Sequence, residues 1–575
     1  MKLRTLFCGT LVSCLALTVA QGADAPASPD IPHLPKQGAA TQLIVDGKPY
    51  LALAGELNND DATSLEFMSR IWLKIVGAKI NTVLAGVSWN QIERQEGKFD
   101  FSVLDGVIRG ARANNVRLAL LWFASWKNGL SSYPPDWVKK DFDRFPRART
   151  GAGLNIELLT PLSDANRDAD ARAFAALMRH VKEVDGREHT VVMIQVENEI
   201  GMHGDTRDFS VLADKAFAGP VPKELMDFLQ QHKDTLIPEF RQVWEATGFK
   251  TSGTWQEVFG KNIACDDIFM AWYFARYIGR VVEAGKAEYP IPMFVNTALV
   301  RSFTIAAAAK MVPQSGAPAM SFAAGGPKDD LMDVWHAGAP RLDIISPDAY
   351  SNFKENCARY TRSGNPLFIP EALNAAVGAG QALYAIGRHD AIGFSAMGAV
   401  ERSNAPDAEL IESYNILGQL APLILAHQGD GTMSAVLLSP DDPPQKIKVG
   451  NYILEASFMK PRVAPLTQAT PIPPNTFASA IFIASGPDEY YVAGSGINLT
   501  FAPATPGQLP LAGLATVEEG SFVSGRWVPC RLFAGDSTDE GNAIRIPWAP
   551  GSWVPEYRQR SSPDAIQRVT LYRYR

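Results

Sequence analysis

The chain has 575 residues, 46% of them hydrophobic and 20% charged, with a formal net charge of −7. That length predicts two domains, and the composition excludes a disordered or fibrous chain. The acidic balance, with no long basic run, argues against nucleic acid or an anionic membrane as partner.

The first segment reads as an address. Lys2 and Arg4 precede an apolar run from Leu6 to Ala20, and Ala23-Asp24-Ala25 offers a cleavage site. Residues 1–25 are therefore expected to be an export signal, with a periplasmic or extracellular destination. Cys14, after Leu11-Val12-Ser13, also admits a lipoprotein reading. The apolar run is short for a membrane span and no later stretch qualifies. Residues 26–41, rich in Ala, Pro and Gly, read as a leader. Three cysteines then remain, Cys265, Cys357 and Cys530, an odd number without metal spacing, and they are expected as buried free thiols. The eight His show no ligand pairing either, so no metal and no cofactor is expected.

Short, apolar, partly β-branched segments at 50–54, 80–87, 116–123, 191–196, 291–296, 342–346, 366–369 and 391–395 predict eight strands. Helical patterns lie between them. Leu65, Met68, Ile71, Trp72 and Ile75 fall at helical spacing over 64–76. Over 102–114, Ser102 is expected as the cap and Leu104, Val107, Ile108 and Ala111 as the buried stripe. Residues 169–184, 268–284 and 407–425 behave alike. Strands alternating with helices predict a (β/α)8 TIM barrel over 42–427. Beyond that, alternating segments at 432–438, 478–485, 490–493 and 568–574, set between Pro, Gly and Asp clusters, predict an all-β sandwich-like domain over 428–575.

Two strands end in acids. Val191 to Val196 leads into Glu197-Asn198-Glu199, and Pro366 to Pro370 leads into Glu371. Burying a lone carboxylate is costly, and barrel active sites sit at the C-terminal strand tips. One acid beside an amide and a second acid three strands later suit glycosidic chemistry, which sets two carboxyls about 5–5.5 Å apart in retaining enzymes. Glu197 should point away from Asn198 by strand alternation and is read as a buried structural pair.

The run Val196-Glu197-Asn198-Glu199-Ile200-Gly201 resembles the Val-Glu-Asn-Glu-Tyr-Gly signature of glycoside hydrolase family 35, the retaining β-galactosidases. Trp89-Asn90-Gln91-Ile92-Glu93 and Gly97-Lys98-Phe99-Asp100-Phe101 are similar to a second block of that family, and the C-terminal region resembles the accessory domain of its bacterial branch. The resemblance implies Glu199 as acid/base, Glu371 as nucleophile and Asn198 on the sugar 2-hydroxyl. Tyr350, at the sixth strand tip, is placed to donate to Glu371. Further substrate contacts are expected from Trp126, Lys127 and Asn128 after strand three, from Trp89 and Glu93, and from Glu56 at the first strand tip. Trp122 is the other stacking candidate, and one of the two tryptophans is expected to pack the rim.

Departures touch the sugar pocket. The family's acid after strand three is missing from Phe123-Ala124-Ser125-Trp126, its strand-two tyrosine falls near Gly86, Ile92 and Arg94 replace a His and a Pro, and strand eight lacks a Pro-Phe pair. The expectation is an exported retaining exo-β-galactosidase acting on oligosaccharides or plant polysaccharide side chains. The alternatives are a retaining β-glycosidase for a glucoside or mannoside, or a non-catalytic carbohydrate-binding protein. The partner is a carbohydrate; the oligomeric state is left open, a homodimer among the options.

Overall fold

The computed structural model describes residues 31–298, 304–311, 323–374, 376–398, 408–460, 471–473, 476–550, 552–554, 559 and 566–575. The expected export signal at 1–25, with Cys14, and residues 26–30 of the expected leader lie outside the described residues.

Eight parallel strands make the ring: β1 (Ala52–Glu56), β2 (Thr82–Ser88), β3 (Arg117–Lys127), β4 (Val191–Asn198), β5 (Met293–Thr297), β6 (Ile344–Pro347), β7 (Phe368–Ile369) and β8 (Gly393–Met397). They pair in the order β6-β5-β4-β3-β2-β1-β8-β7. The ring shuts between β6 and β7, where Asp348 and Glu371 form a parallel bridge and the Ala349 N–H donates to the Glu371 carbonyl at 2.8 Å. Period-two alternation sorts the side chains. Ala52, Ala54, Leu84, Ala119, Leu121, Phe123, Met193, Phe294, Ile344 and Phe368 fill the bore, small residues facing large ones. Leu53, Val83, Leu118, Leu120, Ile194 and Val295 face the helices. A hairpin, Leu43–Val45 with Lys48–Tyr50, packs Leu43 and Val45 against the bore residues. At 36–41, inside the segment read as a leader, Lys36–Gln37 pairs with Ala40–Thr41.

The outer helices follow the apolar stripes. In α1 (Leu65–Gly77), Met68, Ile71, Trp72 and Ile75 are buried, and Ser64 caps the first turn by accepting from the Phe67 N–H. Leu65, counted in the stripe by spacing, sits in the first turn and is exposed. In α2 (Ser102–Ala113) the expected residues are buried, but Ser102 is inside the first turn: Phe101 is the N-cap, and Asp100 accepts from the Ser102 N–H at 3.0 Å. Further helices include α3 (Asp164–Asp185), α4 (Ile263–Glu288), α5 (Phe353–Tyr360), α6 (Ala376–His389) and α7 (Ala408–His427).

The C-terminal region is a two-sheet sandwich. One sheet holds β9 (Met433–Leu438), β12 (Ala478–Gly486), β13 (Glu489–Ser495), β15 (Leu511–Val523), β16 (Arg526–Phe533) and β18 (Ile566–Tyr574). The other holds β10 (Gln445–Val449), β11 (Tyr452–Phe458), β14 (Ile497–Pro503) and β17 (Ile544–Ile546). Val436, Leu438, Phe482, Val492, Leu454 and Leu499 fill the space between the sheets. The opposite face of the first sheet, with Ala435, Leu437, Ile481 and Ile483, joins the barrel core. Helix α6 lies close on that face because it offers glycine: a Cβ on Gly387 would meet Ala435 and Ile481 at 2.8 Å, and one on Gly380 would meet Ser479 at 3.0 Å. Trp527 packs on Tyr491 and Phe522, and Trp553 on Trp548, so both are packing residues. Cys265 and Cys357 are buried free thiols, whereas Cys530 lies exposed on β16, contrary to expectation. Among the described residues no helix is long and apolar enough to cross a membrane.

Candidate active site

The strand tips around Glu199 and Glu371 build one polar site, and Asn296 at the end of β5 is its hub. Its side-chain oxygen accepts from the Glu199 backbone N–H at 2.9 Å. Its amide nitrogen lies 3.1 Å from Glu371 Oε1, 2.9 Å from Asp348 Oδ2 and 3.2 Å from Asn198 Oδ1. Asn296 is fully buried, so this geometry is fixed by the ring itself. On the other side of Glu371, the Tyr350 hydroxyl donates to Oε2 at 2.6 Å.

The two acids differ in surroundings. Glu371 is buried and accepts from two neutral donors. Burial pushes its carboxyl up from the ordinary glutamate value, while Tyr350, Lys127 and Asn296 pull it back. Glu199 is half-buried, and burial followed by the Glu371 charge raises its carboxyl, with Lys127 and a hydrogen bond from Asp348 opposing. Lys127 sits over the Phe123 ring, 4.5 Å from its centroid.

A local irregularity aims Glu199. The β3–β4 pairing shifts register between Val196 and Asn198, and both Glu197 (φ +63°) and Glu199 (φ +46°) adopt left-handed backbone. That conformation costs a non-glycine residue about 1–3 kcal/mol and persists only where the surroundings over-determine it. Here they do. Glu197 turns outward, and its carboxylate accepts from the backbone N–H groups of Ser125 (2.9 Å), Trp126 (2.7 Å) and, more loosely, Ala124 (3.3 Å). It also bonds Asp170, which accepts from Trp122 Nε1 at 2.9 Å and Ser125 Oγ at 2.7 Å. Burial raises both acids of this pair. Two touching carboxyls can bond only if one keeps its proton, so the pair holds one proton between them.

The amides form a chain. Asn198 accepts from Gln195 and Asn296, and donates one N–H to Asn128 Oδ1 at 3.0 Å. Asn128 returns its backbone N–H to the Asn198 carbonyl at 3.1 Å. Glu56 is buried and its charge acts on Asp348 and Tyr350, which puts it in the same cluster.

Three expected contacts do not reach the site. Trp126 is wholly buried among Phe274 and Tyr277, its indole N–H donating to the Leu159 carbonyl, so no face remains for a sugar ring. Trp122, the other stacking candidate, is buried likewise. Trp89 and Glu93 bind each other: the indole donates to Glu93 Oε2 at 2.7 Å, and Glu93 Oε1 accepts the Gly97 N–H. Both are buried and serve to hold the loop after β2. The missing strand-two tyrosine also has a steric reason, since a Cβ on Gly86 would lie 2.8 Å from the Phe123 ring and 2.9 Å from the Asn59 carbonyl. Ser125, where an acid was looked for, points out of the ring to Asp170 and Tyr277.

Two residues of the site escaped the sequence reading. Asn296 ends a buried strand exactly as Glu199 and Glu371 do, yet an amide drew no notice. Asp348 stands two residues before Tyr350 and was passed over for it. Among the described residues, no group of three His, Cys, Asp or Glu side chains could hold a metal ion.

Residues 63–259 match the glycoside hydrolase 42 family model, described as "Beta-galactosidase". Residues 410–545 match a model described as a domain of unknown function (DUF5597), which begins inside α7. A β-galactosidase from Xanthomonas manihotis is 31% identical over 211 residues, 36% of this chain and 32% of that protein. The chain thus spans about a third of the length of the curated relative it matches. Solved structures include the β-galactosidase of Bacillus circulans sp. alkalophilus, 18% identical over 65% of this chain and 57% of that one, at a TM-score of 0.43. The β-amylase catalytic domain of Paenibacillus polymyxa is 11% identical over 64% of this chain and 98% of that one, also at 0.43. In sequence, then, the first half of the barrel is similar to β-galactosidases.

Proposed function

We propose that the chain is an exported retaining β-glycosidase, with terminal β-linked galactose as its first substrate. The observation that carries this reading is the contrast between the two acids at one site. Glu371 is held by two neutral donors that suit an anion. Glu199 is pushed toward the protonated form by burial and by the Glu371 charge.

In the first step a Glu371 oxygen attacks the anomeric carbon while Glu199 gives its proton to the departing glycosidic oxygen. The glycosyl ester removes the Glu371 charge, so Glu199 becomes more acidic. It then takes a proton from water as the water oxygen attacks the anomeric carbon and Glu371 leaves. The described partners use one N–H of Asn198, and the other suits a sugar hydroxyl. Lys127 and Asn128 line the same edge. The family-35 likeness of Val196 to Gly201 belongs to this proposal, beside the family-42 match. An export signal at 1–25, as the sequence leads us to expect, would fit a carbohydrate met outside the cytoplasm.

The test is stereochemical. Proton NMR of early hydrolysis of an aryl β-galactoside should show the β-anomer released first; the α-anomer would overturn the retaining assignment. A faster rate on the aryl glucoside or mannoside would keep the chemistry and change the sugar.

A further inference from the structure

The outer face of the second sandwich sheet holds a cavity that neither the packing nor the proposed chemistry uses. Its volume is about 580 Å³, within the range of small-molecule sites. Strand alternation sets its polar wall. Ile497 and Leu499 of β14 and Ile544 and Ile546 of β17 face the sandwich core, so Asn498, Thr500 and Arg545 face out into the cavity. Asn498 and Arg545 stand directly opposite each other across the β14–β17 pair, yet they do not bond one another. Arg545 turns instead to the Asp539 carboxylate (Nη2 to Oδ1, 3.1 Å) and the Asp536 carbonyl (from Nη1, 3.2 Å). That answers its charge and occupies two of its five N–H groups. Among the described residues, the half-buried Asn498 amide and the Thr500 hydroxyl have no hydrogen-bond partner. Met459, Trp548 and Val554 make the apolar wall. Trp548 is fixed there: its indole N–H donates to the Met459 carbonyl at 3.3 Å and its ring meets Phe458 edge to face. Gly496, at φ +72°, lets the indole lie against the strand end, since a Cβ there would come within 2.6 Å of the ring.

We propose that this cavity is a second carbohydrate site, which holds a neutral glycan chain apart from the catalytic pocket. A pyranose carries hydroxyls round its edge and a patch of C–H on its face. The free amide of Asn498, the Thr500 hydroxyl and the remaining N–H groups of Arg545 suit the edge; the thioether of Met459, the Trp548 indole and Val554 suit the face. An anion finds little here, because Asp539 compensates Arg545 and Lys460 stands exposed at the rim. A wholly apolar ligand would seal the Asn498 amide away unpaired, which is costly. The first sheet stands between this face and the barrel, so the site acts independently of Glu199 and Glu371. The choice of a sugar over another neutral polyol rests on the glycosidase reading. A polymer held here stays close to the barrel, which raises its effective concentration at the strand tips without any new contact there.

Native gels cast with soluble polysaccharide decide the matter. The full chain carrying Glu371→Gln, so that the polymer is not turned over, is run in gels holding β-galactan, xyloglucan or galactomannan, beside a gel without glycan. It should be retarded in at least one of the three. Adding Asn498→Ala breaks no hydrogen bond of the described residues, so the melt should be unchanged while the Kd read from the retardation rises about fivefold or more. Thr500→Arg, at an exposed strand position, should fill the cavity and abolish the retardation. With Glu371 restored, both variants should keep the wild-type kcat/KM on an aryl β-galactoside. Free migration of the Glu371→Gln chain in all three gels overturns the proposal. So does retardation that survives both substitutions, since the glycan is then held at the catalytic pocket. A wild-type chain that hydrolyses no glycoside would instead overturn the function, while the gels, which ask only for binding, would still decide the second site.

Discussion

Glu197 and Glu199 lie two residues apart on one strand end and live in opposite worlds. Glu197 is sealed outside the ring, held by three backbone N–H groups and by Asp170. Glu199 faces the pocket with Glu371 and Asp348. Both are raised by burial first, so a raised carboxyl does not by itself mark catalysis. What separates them is what else is in reach. The Glu197 partners satisfy it completely and leave no path for a substrate, whereas the Glu199 partners leave one side open and supply a second acid across a gap.

That contrast can be broken by mutation. The largest effect is expected from Glu371→Gln, which should lower kcat roughly 10⁴-fold or more on every substrate with an unchanged melt, because no other group can form the ester. Glu199→Gln should cost about 10²–10⁴-fold on glycosides with poor leaving groups and much less on activated aryl glycosides, which need little protonation; equal losses on both would contradict the acid role. Glu197→Ala should act on folding, by about 3–5 kcal/mol in urea denaturation, since it strands a buried acid and three backbone donors. Glu197→Gln keeps one acceptor oxygen for the Trp126 and Ala124 N–H groups and can donate to Asp170 but loses the acceptor for the Ser125 N–H, so it should destabilise less than Glu197→Ala and report on pH. The Glu197–Asp170 pair has raised values in the folded state, so its stability is intact below the ordinary carboxylate range and is lost as pH rises through the raised values. The variant's Tm should therefore fall less steeply than wild type on the alkaline side. The smallest effect belongs to Lys127→Met. Lys127 lowers Glu199, so its loss should move the alkaline limb of kcat/KM up by less than about one pH unit.

Much of this was legible in the chain. All eight barrel strands fall on segments read from apolar runs, and Glu199 and Glu371 stand out because an acid at the end of a buried strand is physically expensive. Less visible were six strands of the sandwich, such as β15, β16 and β17, where alternation is weak and much of β16 is exposed. The helical excursion between β4 and β5 also went unread, since 211–259 is broken into short helices. The aromatic contacts failed for a definite reason. Trp126 and Trp89 lie beside the site in sequence, but the β3 irregularity turns Trp126 outward, and Trp89 opens a short helix at 89–92 that buries it away from the site. No spacing rule shows such a register shift in advance, and it also hid the link between Glu197 and Asp170.

At β9 and β12 the first sheet is buried on both faces, one by its sister sheet and one by α6. The change of pattern at residue 428 is thus not a seam along which the chain can be divided. A barrel cut there would bare the glycine-lined side of α6, and a sandwich cut there would bare Ala435, Leu437, Ile481 and Ile483. The two halves should therefore melt in one transition, and neither should fold when expressed alone.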